Sequence, residues 1–157
     1  MFESGNPFTD ATFRTRFGGV LDDWGIERDR LVILPYVTHD DYLRLNIHSD
    51  VMLDCLGWSG GNTSVDAVVA GLPIVTLPGR FMRSRQSEAM LRLVDVPELI
   101  AADRKEYVAM SVDVARNASR RRDLSRRMLD GAAAIFDQEE PVVALTRHLH
   151  AMACRPS

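Results

Sequence analysis

The densest run of chemistry-bearing residues is Gly57-Trp58-Ser59-Gly60-Gly61-Asn62-Thr63-Ser64-Val65-Asp66. It lies between a short apolar run and a helical pattern, so it reads as a strand-to-helix turn. Gly60 and Gly61 let a backbone approach a ligand without a Cβ in the way. Asn62, Thr63 and Ser64 put side-chain donors beside the free N–H groups of the helix start. With the positive end of the helix dipole, such a turn suits a diphosphate or another anion. The same residue types also build an ordinary capped turn, and the residues alone leave both readings open. Asp66, one helical turn further on, would repel phosphate yet could accept from ribose hydroxyls; it could equally complement the helix dipole. No Gly-Lys-Thr or Gly-Lys-Ser follows the glycines and the pattern is not GxGxxG, which excludes the common phosphate-loop and dinucleotide fingerprints.

Two other loops carry candidate groups. In Tyr36-Val37-Thr38-His39-Asp40-Asp41-Tyr42, Thr38 is a helix cap with Asp41 at the capping-box position. The Tyr42 ring could stack on a base while backbone near Val37 reads the base edge, or it could simply pack. In Pro78-Gly79-Arg80-Phe81-Met82-Arg83-Ser84-Arg85, three arginines could form an electropositive rim, or a solvated loop. His39, His48, His148 and His150 lack metal-ligand spacing and no GxSxG elbow is present, so no metal site or serine-hydrolase site is expected. The arginines from Arg116 to Arg127, interrupted by Asp123, read as a solvated helix face rather than a nucleic-acid surface.

The elements that must position these loops follow from periodicity. Thr9 is the expected cap of a helix starting at Asp10, with Phe13, Phe17, Leu21 and Trp24 on one face; Gly18 and Gly19 imply close packing or a local irregularity. Leu31–Leu34 reads as a buried strand, 40–47 as a helix, Val51–Leu53 as a second strand and 65–70 as the middle of a helix ended by Gly71. Pro73–Leu77 is a third expected strand, 84–94 a helix and Glu98–Ile100 a fourth strand. Helices near 104–116, 119–136 and 141–152 follow, with Pro141 suited to a first helical position. Strands alternating with helices predict an α/β fold: a Rossmann-like parallel sheet of about four or more strands covered on both faces, with a helical carboxyl-terminal segment. On such sheets ligands bind beyond the carboxyl ends of the strands, where the three loops fall.

At 157 residues and 17.6 kDa the chain is expected to be one domain, an α/β part over 1–103 and a helical tail over 104–157. Its 19 basic and 22 acidic residues leave a net charge of -3, which offers no overall field for nucleic acid or an anionic membrane. Lys105 is the only lysine, so planar bidentate contacts have many candidates and a flexible ammonium one. Cys55 and Cys154 form no disulfide framework, the Met1–Gly5 start has no signal-peptide pattern, and Gly71 and Pro73 break the most apolar stretch. A cytoplasmic protein without a membrane span is expected.

Leu53-Asp54, Gly57 to Ser64, Gly71-Leu72-Pro73-Ile74-Val75-Thr76-Leu77-Pro78-Gly79 and Phe81-Met82-Arg83 together closely resemble bacterial proteins similar to the O-linked N-acetylglucosamine transferases. The likeness extends from about Arg16 to Arg127, through Glu98-Leu99-Ile100-Ala101 and Glu106-Tyr107-Val108. In that family this stretch belongs to the carboxyl-terminal, nucleotide-sugar-binding half of a GT-B glycosyltransferase. The resemblance implies that Gly61, Asn62, Thr63 and Ser64 hold the UDP diphosphate and Asp66 the ribose, and Gly60 of the same turn is a further substrate-binding candidate. The resemblance also implies uracil contacts from the Val37–Tyr42 loop through Val37 and Tyr42, with His39 near the place of a family lysine; Arg83, of the possible arginine rim, is a further substrate-binding candidate. The implied reaction is inverting, metal-independent transfer of N-acetylglucosamine or a related sugar to protein Ser or Thr, with a UDP-sugar as substrate and no cofactor. The acceptor site and catalytic base would lie in an amino-terminal domain absent from this sequence, so the chain is expected to be part of a larger enzyme and inactive alone. A non-catalytic nucleotide-binding or protein-interaction module is the other reading.

Overall fold

The structure, a computed structural model, describes residues 6–153; the Met1–Gly5 start and Cys154 lie outside them. The chain divides into two compact units, Met1–Tyr42 and Leu43–Ser157.

In the first unit, α1 (Pro7–Asp23) is capped by Asn6, whose side chain accepts from the N–H groups of Phe8 (3.0 Å) and Thr9 (3.3 Å). The expected cap Thr9 therefore lies inside the helix. Pro7 explains the earlier start: at the first helical position its missing N–H costs nothing and its φ is already helical. Phe13 and Phe17 stack with centroids 4.5 Å apart. A Cβ on buried Gly18 would meet the Arg28 guanidinium carbon at 3.1 Å, a tight contact that the exposed Arg28 side chain can relieve, whereas a Cβ on Gly19 would meet nothing within 4 Å, so close packing accounts for neither glycine. Arg28, paired with Asp22, sits in the single 3-10 turn Arg28–Arg30. The strand expected at Leu31–Leu34 does not form: only Leu34 takes a bridge position, and the following Pro35 has no N–H to extend a ladder. Thr38 caps α2 (His39–His48) as expected, accepting from the Asp41 N–H at 3.2 Å and donating its hydroxyl to the Asp41 carboxylate at 2.8 Å.

In the second unit, β1 (Met52–Leu53) pairs in parallel with β2 (Ile74–Val75), Met52 opposite Ile74 and Leu53 opposite Val75. α3 (Asn62–Val69) connects them, and α4 (Gln86–Leu93) follows a 3-10 turn at Met82–Ser84. The sheet of about four or more strands expected from the sequence is thus two strands among the described residues. The fourth expected strand, Glu98–Ile100, is a 3-10 turn at Pro97–Leu99 plus one parallel bridge, Thr76 to Ile100. Prolines set these limits. Pro73 donates nothing at the start of β2, Pro78 closes its far end, and Pro97 opens the turn that replaces the last strand. The parallel path survives in the hydrogen bonds Met52 N–H to Pro73 O (2.8 Å), Asp54 N–H to Val75 O (3.0 Å) and Ala101 N–H to Thr76 O (2.8 Å).

Helices α5 (Arg104–Arg116), α6 (Ala118–Gly131) and α7 (Glu139–Ala153) complete the unit. α6 stops five residues short of the expected helix because a 3-10 turn takes over at Ala132–Ile135. α7 begins two residues before Pro141, which therefore lies inside its first turn. The core gathers Ala67 and Val68 of α3, Ile74 and Val75 of β2, Leu91 of α4, Val114 of α5, and Leu124 and Met128 of α6. α7 buries none of its residues among those described.

Candidate functional site

Asp54 directly follows β1, and its side chain is buried with the residue only 4% exposed. A buried carboxylate is tolerated only when hydrogen bonds replace its water shell. Oδ1 accepts from the N–H groups of Cys55 (3.0 Å) and Gly60 (2.9 Å); Oδ2 accepts from the hydroxyls of Ser59 (2.7 Å) and Thr76 (2.7 Å). These bonds fold the Cys55–Gly61 turn back over the end of β1. Tyr107 of α5 donates its phenol to the Asp54 carbonyl at 3.0 Å. Burial raises the Tyr107 pKa, and the Asp54 charge, then the Cys55 thiol, add to the shift.

The turn feeds α3 through Gly61, which has no side chain to cap the helix. The Ser64 and Val65 N–H groups bond to the Gly61 carbonyl at 3.0 and 3.1 Å. The N–H groups of Asn62 and Thr63 have no acceptor among the described residues, and both side chains are exposed. Gly60 is required by contact: a Cβ there would lie 2.3 Å from Ser64 Oγ and 2.7 Å from Thr63 Oγ1. Asp66 is half-buried on the same helix.

Two of the residues expected to face a ligand are turned inward. The Gly60 N–H is given to Asp54, and Ser64 is fully buried with its Oγ 2.8 Å from Ser87 Oγ. Arg83 stands at the exposed edge of the same site. Its guanidinium lies over the rings of Phe81 (4.7 Å) and Trp58 (6.0 Å), and its carbonyl accepts the Ser59 N–H at 2.8 Å. The expected arginine rim is smaller than three, because Arg85, with Arg92, pairs with the nearly buried Glu88, each at 3.0 Å. Val37, His39 and Tyr42 belong to the first unit, where Val37 and Tyr42 are half-buried and His39 is exposed.

Sequence reasoning missed Asp54, Ser59, Thr76 and Ser87 as a group. Asp54 had one readable signal, an acid placed directly after an apolar strand at the ligand-bearing edge. Ser87 had none, since its partners lie 23 and 28 residues away. The Arg116–Arg127 cluster also differs from a solvated face. Arg120 pairs with Asp113; Arg121 donates to the carbonyls of Val114 (3.0 Å) and Ala115 (2.7 Å) and pairs with Asp50 (2.9 Å); Arg127 holds Glu98 and the Asp95 carbonyl. No helix among the described residues is long and apolar enough to cross a membrane.

A glycine-rich turn over the carboxyl end of parallel strands, opening a helix with free N–H groups, is an arrangement of α/β proteins that bind anions, and the GT-B glycosyltransferase class follows from the likeness of the whole chain. The chain superposes on a mutant of the Thermobaculum terrenum O-GlcNAc transferase with a TM-score of 0.76 and 29% identity, over 96% of this chain and 29% of that one. Residues 14–140 match the glycosyl transferase family 41 model, and the chain belongs to that family. It is 30% identical over 110 residues to a probable UDP-N-acetylglucosamine–peptide N-acetylglucosaminyltransferase, SPINDLY, of Arabidopsis thaliana, covering 69% of this chain and 12% of that protein. It is 28% identical over 118 residues to a UDP-N-acetylglucosamine–peptide N-acetylglucosaminyltransferase of Caenorhabditis elegans, covering 74% of this chain and 10% of that protein. The chain thus spans about a tenth of the length of these two relatives.

Proposed function

We propose that this chain supplies the nucleotide-sugar-binding part of a transferase that moves N-acetylglucosamine, or a related sugar, from UDP to Ser or Thr of an acceptor protein. The observation that carries the reading is the start of α3, with the N–H groups of Asn62 and Thr63 unbonded and their side chains exposed beside Gly61, in a chain of family 41. Within the second unit Gly61, Asn62 and Thr63 would bind the diphosphate and Asp66 the ribose, with Arg83 at the rim; in the first unit Val37, His39 and Tyr42 are, by the family likeness alone, the uracil-binding candidates. Gly60 and Ser64 would shape the diphosphate surface from within. Helix-start donors that meet the charge growing on departing UDP lower the barrier by electrostatic preorganisation, and this step needs no metal. The transfer would invert the sugar centre, with a base from outside these residues and with cytoplasmic proteins as acceptors.

Calorimetry tests the reading. The folded chain is expected to bind UDP in the presence of EDTA and to transfer no sugar by itself. Asn62→Ala and Thr63→Ala should each weaken UDP by roughly 1.5 to 3 kcal/mol, the scale of a side-chain hydrogen bond to a charged group. A chain shown by circular dichroism to be folded, yet giving no heat with millimolar UDP, would remove the binding claim. A second reading, a non-catalytic interaction module, draws on α7, where Val142, Val143, Leu145, Leu149 and Met152 are all exposed. Sugar transfer by the isolated chain would exclude both the module and the need for a second part.

A further inference from the structure

Asp54 does more than tolerate burial, because proton counting gives the hydroxyls around it a direction. Ser59 has one hydroxyl proton, and Asp54 Oδ2 receives it at 2.7 Å. The Ser59 oxygen accepts the Ser87 N–H at 2.9 Å and lies 2.8 Å from Ser87 Oγ. With its own proton committed, Ser59 is the acceptor in that second contact too, so Ser87 donates to it. Ser64 Oγ, 2.8 Å from Ser87 Oγ, then donates to Ser87. Three hydroxyl protons therefore run inward, Ser64 to Ser87 to Ser59 to Asp54, while Thr76 Oγ1 and the Gly60 N–H reach the same carboxylate from the other sides. Ser59, Ser64 and Ser87 are each at most 1% exposed, which keeps water from substituting for any link.

We infer that Asp54 is a positioning residue for the diphosphate end of the proposed nucleotide site, acting through this relay to select which donors face outward. It draws the Gly60 N–H and the Ser64 proton into the protein, leaving the N–H groups of Asn62 and Thr63 as the surface offered to an anion. Ser87, on α4, ties the start of α3 to the helix that follows the Arg83 loop, so both sides of the site are held by one network. The inference rests on the nucleotide reading above.

Charge alone makes the opposite prediction, which gives the test its sign. Asp54 is a negative charge beneath an anion site, and removing it should by Coulomb's law tighten phosphate binding. The relay predicts weakening. Asparagine has one acceptor oxygen and two N–H donors, so it opposes either the two main-chain N–H groups or the two hydroxyls that Asp54 accepts. Amide-resolved NMR titration of the 157-residue chain with UDP, and separately with uridine, reads both the affinity and the Asn62 and Thr63 signals. Asp54→Asn is expected to weaken UDP about tenfold with uridine changed less than about twofold, since uridine lacks the diphosphate that the outward donors bind. Ser87→Ala, which keeps the charge, should move UDP in the same direction and shift the Asn62 and Thr63 amides. Thr76→Ser should retain binding where Thr76→Val loses part of it.

Tighter UDP binding by Asp54→Asn would overturn the inference, as would equal losses for UDP and uridine, the mark of a merely structural role. If Asp54→Asn does not fold, Ser87→Ala decides: an unchanged UDP-to-uridine ratio overturns the inference. Wild-type chain that binds no UDP overturns the nucleotide reading itself, whereas wild-type binding with unaltered variants overturns only the relay.

Discussion

Tyr107 shows how much one side chain contributes at a distance in sequence. Its phenol reaches across 53 residues to the Asp54 carbonyl, bracing the strand end from which the glycine-rich turn departs. Tyr107→Phe keeps the ring and deletes that bond; chemical denaturation should show a loss of about 1 kcal/mol, the usual net value of one hydrogen bond. Its raised pKa also has a sign. The native state favours the neutral phenol, so the contribution is complete below the unfolded value near 10 and is lost as pH rises through the higher native value. The wild-type stability curve should therefore fall more steeply than that of Tyr107→Phe in alkaline buffer. At this scale the sequence marked the glycine-rich turn but not the direction of its donors. Gly60 and Ser64 lie in that turn with donors that point into the protein, because a buried carboxylate and a buried serine claim them.

Among the elements, Gly71 marks where helix geometry and packing coincide. It follows α3 with φ +69, the left-handed conformation that ends many helices, and a Cβ would lie 2.8 Å from Leu129 Cγ and 2.9 Å from Ser125 Oγ of α6. Gly71→Ala is expected to cost at least about 1 kcal/mol through the backbone alone, and more through the clash, measurable as a lowered urea midpoint. Helix ends of this kind were legible because their signals are local. α5 runs Arg104–Arg116 as its periodicity requires, and Thr38 caps α2. Strands were less legible. An apolar run states that a segment is buried, not how many residues find a ladder partner, and Pro35, Pro73 and Pro97 withdraw donors where the pattern alone would extend pairing.

For the molecule as a whole, the arginine-rich helix is a structural tie of the second unit. Arg127 of α6 bonds the Glu98 carboxylate and donates to the Asp95 carbonyl at 2.6 Å, clamping the turn that leads to the Thr76–Ile100 bridge. Burial by itself would raise the Glu98 pKa, but the Arg127 hydrogen bond, a main-chain hydrogen bond and the Arg127 and Arg120 charges together outweigh it and hold the carboxyl below its ordinary value. A lowered native pKa gives stability that is present above the unfolded carboxylate value and lost as pH falls through the native one. Thermal melts should show Glu98→Gln less stable than wild type near neutrality, by less than about 1 kcal/mol because solvent screens the pair, with the gap closing in acid. Residue types and local spacing by themselves determined the helices, the position of the glycine-rich turn and the family likeness, because caps, periodicity and motifs act over a few neighbours. Only the tertiary structure decided the extent of the sheet, the pairing of the arginines and the direction of the donors around Asp54. Much of this depends on partners far apart in the sequence, such as Thr76 and Tyr107 with Asp54 or Arg121 with Asp50, brought together by the fold, which no local pattern encodes.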